Sequence, residues 1–159
     1  MLTITVNTGD LSEKLDSLPG AVKAALLSEA NGIAALLLGI VKEKAGGEVL
    51  KVRTGSYLES IKSHVKDNPK SVTGSVFTKD PRAAILEWGG RIPAHVIEPV
   101  NARALHFLPT GGEVFAAVVH SPGAQISPHP VFHSTYQEEK DNVAARLVAA
   151  GSVAATEAI

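Results

Sequence analysis

Residues 21–44 read AVKAALLSEANGIAALLLGIVKEK. Val22, Leu26, Ile33, Leu37, Ile40 and Val41 recur there at spacings of three, four and seven, the period of a helix with one apolar face, and Gly46-Gly47 supplies the stop. At 1.5 Å per residue this helix is about 36 Å long. It is the largest single surface in the chain, so the other elements must pack on it.

Upstream, Leu2, Ile4 and Val6 alternate with Thr3, Thr5 and Asn7, the pattern of a half-buried edge strand that Thr8-Gly9-Asp10 ends. Asp10 or Ser12 then caps a brief helix carrying Leu11, Leu15 and Leu18, stopped by Pro19-Gly20. Downstream, Thr54 precedes a capped turn of helix in which Leu58 and Ile61 point the same way. The segment from Ile61 to Val65 pairs across Asp67-Asn68-Pro69-Lys70 with the alternating Val72, Gly74 and Val76. Asp80-Pro81 opens a helix over residues 82–88, with Ala84, Ile85 and Trp88 on its inner side, and Gly89 closes it.

Residues 91–131 hold six of the nine prolines, between short alternating runs at Val96, Leu105, Phe107, Val114, Ala116 and Val118. Thr110-Gly111-Gly112-Glu113 reads as a turn joining residues 105–108 to 114–120. The prolines of residues 121–130 exclude helix and central strand, which sends that loop over a surface or against another subunit. Phe132, Tyr136, Val143 and Leu147 mark a last amphipathic helix that fades into an Ala-rich stretch. The expected fold is α+β: an antiparallel sheet with hairpins packed on one long N-terminal helix, plus short helices and a C-terminal helix. One domain spans residues 1–148, followed by an Ala-rich tail over 149–159.

Composition narrows the function. Hydrophobic residues are 45% and charged residues 19%, the balance of a globular chain. Aromatic residues are only 4%, so the core is aliphatic and thin, and burial against neighbouring subunits is expected to supplement it. A net charge of −1 provides no basic field for gripping a phosphate backbone. Without cysteine there is no disulfide, thiolate metal site or thiol nucleophile. Residues 1–7 lack the charged flank and apolar block of a signal peptide, and the apolar run 33–41 is shorter than the roughly 20 residues of a membrane span.

His64, His95, His106, His120, His129 and His133 include no helical pair flanking a glutamate, and His129 and His133 straddle Pro130. There is no nucleophile elbow and no phosphate loop. Glu87 and Glu98 lie on different elements, which is poor placement for paired acid/base work. Trp88, the single tryptophan, is read as a core side chain ahead of an exposed anchor, and an Arg53–Glu87 ion pair requires two helix ends to meet. No catalytic, metal or cofactor site is expected.

Three stretches carry a resemblance. Arg53-Thr54-Gly55-Ser56-Tyr57-Leu58-Glu59-Ser60-Ile61 resembles a T-G-x-L-x-x-S-I turn, with Leu58 one place late. Residues 83–90, AAILEWGG, are similar to Y-A-x-x-x-E-[FW]-G-[TG], with Ala83 in place of tyrosine and Glu87, Trp88 and Gly89 matching. His120-Ser121-Pro122-Gly123 and Pro130-Val131-Phe132 resemble an H-P-G loop and an [RP]-P-F helix start, with Ser121 inserted and His129 in place of arginine. Their order, over about residues 1 to 145, resembles the gene-ten-like neck and tail-completion family of lambdoid tailed phages.

The resemblance implies a structural virion protein made in the host bacterial cytoplasm. It would form a homo-oligomeric ring, six-fold in preference to twelve-fold, in the neck or at the head-proximal end of the tail. Partners would be head-completion or connector proteins and the tail tube protein; DNA would pass through without sequence-specific binding, and no membrane is involved. The interface residues so implied are those of the three motifs together with Phe107. The alternatives are a small metal-dependent hydrolase using the histidines and a tail-assembly factor that forms no ring.

Overall fold

The computed structural model describes residues 2–7, 20–48, 55–69, 71–108 and 111–157. The brief helix expected around Leu11, together with Arg53, Thr54 and Thr110, lies outside the described residues. In chain order the elements are β1 (Leu2–Asn7), α1 (Gly20–Glu43) with a wider turn over Lys44–Glu48, α2 (Ser56–Ser60), β2 (Lys62–Asn68), β3 (Ser71–Thr78) and α3 (Ala83–Trp88). Six three-residue strands follow: β4 (Gly90–Ile92), β5 (His95–Ile97), β6 (Leu105–Phe107), β7 (Val114–Ala116), β8 (Val119–Ser121) and β9 (Ala124–Ile126). The chain then enters α4 (Val131–Glu157). This is the expected α+β arrangement.

The body is an antiparallel sheet of order β1-β3-β2. Ile4 lies opposite Val76 on one side of β3 and Ser63 opposite Val76 on the other. Val72, Gly74, Val76 and Thr78 alternate inward along β3, because the period of a strand is two, and Thr73, Ser75 and Phe77 between them face the other side. Against that face α1 buries Val22, Leu26, Ala30, Ile33, Ala34, Leu37 and Val41, the stripe its spacing dictates. By length and hydropathy alone residues 20–47 suffice to cross a membrane. In this fold their apolar stripe is covered by sheet and helix.

Helix α4 runs antiparallel to α1. Lys44 Nζ donates to Ser134 Oγ at 3.2 Å and to Glu138 Oε2 at 2.7 Å near one end, and Arg146 Nε donates to Glu29 Oε1 at 2.6 Å midway. Ala154 packs with Val22 and Leu26 at the far end. The helix therefore continues through the stretch read as a fading tail. Alanine is the strongest helix former, and the continued face is used, since Ala154 is buried. Ile33, Leu37, Val41, Ile61, Val76, Phe132 and Val143 meet in the main core, where each larger aliphatic contributes roughly 1.5–3 kcal/mol on burial.

The described residues of 90–126 form a separate feature, one long antiparallel ribbon. Gly90 lies opposite Ile126, His95 opposite Ser121 and Leu105 opposite Ala116, so the three short ladders are nested rungs of a single arm. The expected 105–108/114–120 hairpin is its tip, with the second strand divided between β7 and β8. Pro93, Pro99 and Pro122 fall between rungs, where a two-stranded ribbon loses no ladder bond to them. Gly123 is obligatory there: at φ +80° its missing Cβ would fall on the Ile92 carbonyl oxygen.

Candidate functional site

Helix α4 starts immediately after Pro130, which has no side-chain oxygen to cap the orphan N–H groups of a helix start. Glu87, on α3 and 44 residues away from Val131, caps them instead. Its Oε2 accepts the N–H of Val131 at 2.9 Å and of Phe132 at 3.1 Å, and its Oε1 accepts that of His133 at 2.6 Å. The carboxylate is fully buried, and the positive end of the helix dipole favours its charge. His129 N–H donates to Leu86 O at 2.7 Å, and Gly89, at φ +71°, packs against Ile126 O and Pro128. Both ends of the arm are thereby fastened to α3 and α4.

A second set of bonds ties this junction to the T-G turn. Gly55 occupies the left-handed region at φ 72° ahead of α2, as a turn glycine must. Ser60 Oγ and Thr78 Oγ1 are 2.7 Å apart, Asp80 N–H donates to Thr78 Oγ1, and Arg82 donates to both carboxylate oxygens of Asp80 and to Ser56 Oγ. The hydrogen-bonded Arg82 guanidinium holds the Asp80 carboxyl below the usual range. Burial, with the Glu87 carboxylate and Asp80 adding to it, pushes the Tyr57 phenol up to about 12.

The three sequence motifs thus converge. Leu58 and Ile61 enter the main core, Glu87 and Gly89 hold the junction, and Pro130 and Phe132 open α4 over it. Phe107, His120, Pro122 and Gly123 do not join them; they lie along the arm. Two expectations need correction. Trp88 is 60% exposed and touches His133 at a ring separation of 5.6 Å, and Ala84 is exposed. The buried face of α3 is Ala83 and Glu87, because the carboxylate turns toward three unsatisfied N–H groups and carries the helix round with it. Glu87 therefore has both oxygens engaged with backbone.

Sequence reasoning missed the capping by Glu87, since its partners are backbone groups that no residue type announces. It also missed Asp80–Arg82, a local Asp-x-Arg pairing readable from spacing. Chemically the junction is a clamp: its carboxylate is enclosed and accepts three backbone N–H groups. Among the described residues no three His, Cys, Asp or Glu side chains come together.

Two measurements probe the junction. Trp88→Ala should cost about 1–2 kcal/mol, below the roughly 3–5 kcal/mol of a buried tryptophan, read from urea unfolding. The raised phenol of Tyr57 favours the folded chain while protonated, so that contribution is complete below the ordinary value of 10.0 and is lost as the pH climbs toward about 12. Tyr57→Phe should flatten the loss of stability across that window; equal loss in both proteins would remove Tyr57 as its source.

Fold and junction define an α+β domain that clamps a projecting β-ribbon arm. No family model, curated protein or solved structure matches the chain.

Proposed function

We propose that the chain is a structural subunit of a tailed-phage particle that closes into a ring in the neck or at the head-proximal end of the tail. The arm carries this reading. Val96, Val100, Phe107, Leu108, Val114, Phe115 and Val118 are exposed along it, whereas among the described residues the larger body exposes fewer large apolar side chains. Grouped exposed apolar residues mark an interaction surface, and a ribbon clamped at its base by Glu87 is a lever for reaching a neighbour. The three motifs that resemble the neck family contribute to that clamp and to the arm it holds, which supports the reading further. The junction commits Glu87 to three backbone N–H groups and Asp80 to Arg82, which does not favour the hydrolase alternative.

The test is twofold. Purified protein imaged by negative stain, alone and mixed with its neighbouring gene products, should give rings with a central channel. Mass spectrometry of purified particles should find the chain as a stoichiometric virion component. Its absence from particles, with assembly needing only its presence in the cell, would make it an assembly factor instead.

A further inference from the structure

We propose that the trough between the open edge of β1 and the start of α4 receives the arm tip of a second copy of this chain. The inference rests on the ring reading and names the two surfaces that would meet in it.

The two edges of the sheet differ. β2 carries Lys62 and Lys66 among its exposed residues, and edge lysines deter pairing with another chain. β1 is LTITVN, without a charge. Alternate residues of an antiparallel edge strand turn their N–H and C=O away from the sheet, and among the described residues no strand pairs with that side of β1. Among the described residues, β1 is the edge without such charges or a pairing strand.

Beside that edge lies a trough. A cavity of about 420 Å³ runs along Leu2, Thr3, Ile4 and Thr5 and is walled by Trp88 and Tyr136. A second of about 230 Å³ shares Ile4, Thr5 and Tyr136 and continues to Val143 and Leu147. Leu2, Ile4, Phe132, Val143 and Leu147 give the trough an apolar lining along an edge strand, a setting that can take up an added strand.

The arm tip supplies a matching part. Phe107 lies opposite Val114 and Leu105 opposite Ala116, so these four share one apolar face, and Leu108 beside them is 74% exposed. A two-stranded hairpin alone is marginal in water. Phe115, opposite His106, lies on the other face of the ribbon, so the Leu105–Phe107–Val114–Ala116 face supplies one part-exposed phenylalanine and its aliphatic neighbours, a part of the roughly 800 Å² per partner of a stable interface. Residues 90–126 carry Arg91, Arg103, Glu98 and Glu113, which balance, and the trough lining carries Glu139 and Lys140 beside Glu87, whose carboxylate is already bonded to three backbone N–H groups. In its own chain the tip is held away from Trp88 by two intervening rungs. Because donor and acceptor are different patches, the contact is head-to-tail and closes a ring when the rotation permits.

The chain has no native cysteine, which makes the test clean. Full-length Thr5→Cys and Val114→Cys proteins are mixed and treated with a short bismaleimide; Lys62→Cys replaces Thr5→Cys in the control. The expected result is a mixed cross-linked dimer with Thr5→Cys and its loss with Lys62→Cys. A protein carrying Thr5→Cys and Val114→Cys together should give a ladder of multimers. Equal yields from both edges, or no cross-link, would overturn the proposal. So would failure of the Thr5→Cys monomer to react with a monofunctional maleimide, which would mean that the chain's own residues fill the trough. Imaging separates the two readings: rings without the Thr5→Cys cross-link leave the ring standing and remove this acceptor, whereas absence of both rings and cross-link removes both.

Discussion

Replacing Glu87 with alanine should lower the unfolding free energy by about 3–5 kcal/mol, a large share of the roughly 5–15 kcal/mol that a domain of this kind possesses. Three backbone N–H groups lose a charged acceptor at once, and Pro130 has no oxygen to replace it. Val131 and Phe132 are buried, so their N–H groups meet water only if α4 frays, which would uncover Phe132 and the core behind it. Glu87→Gln keeps the shape and one acceptor. It turns an amide NH₂ toward at least one N–H, so its cost should be smaller but measurable. Urea titration followed by far-ultraviolet circular dichroism reads both. A fall in midpoint at constant slope is expected, and a loss below about 1 kcal/mol for Glu87→Ala would mean that the helix start is held by other contacts.

What was legible in the sequence divides along one line. The long helix, the β2–β3 hairpin and the arm tip are written as periodicity over consecutive residues, and Gly89 and Gly123 as backbone positions only glycine fills comfortably. The junction is a relation between segments far apart. Glu87 reads as an ordinary helix-end carboxylate until α4 is placed over it. The same relation reversed the expectation for Trp88: on a short helix one side must face inward, apolar content favoured the tryptophan side, and three uncapped N–H groups drew the glutamate side instead. The Ala-rich stretch went astray for a different reason. Its small side chains give a weak amphipathic signal, but their helix propensity is high and Ala154 packs against Val22 and Leu26. The arm was legible as a hairpin and as a surface, yet its continuity from Gly90 to Ile126 depends on rungs of three residues, too short for alternation to declare.

On the proposed ring reading, excising residues 105–116 and closing the arm with an Asn-Gly turn should leave the body folded and abolish assembly. The body's core residues lie in α1, α2, α4, β1 and β3, and the rungs at the arm's base, Gly90–Ile92 with Ala124–Ile126, are untouched. Stability should therefore change by no more than about 0.5 kcal/mol, the usual scale for surface changes. Assembly is a different matter, because Phe107, Leu108, Val114 and Phe115 go together. Each 1.4 kcal/mol lost from a contact weakens it about tenfold, and every subunit of a ring makes the same contact, so the penalty is repeated at each joint. Complementation of a phage lacking this gene measures the outcome: the shortened protein should accumulate as a folded monomer while unjoined heads and tails build up. Particles completed at normal yield would show that the arm tip is not the assembly surface. The alternative explanation, a misfolded variant, is excluded by an unchanged urea midpoint in the same preparation.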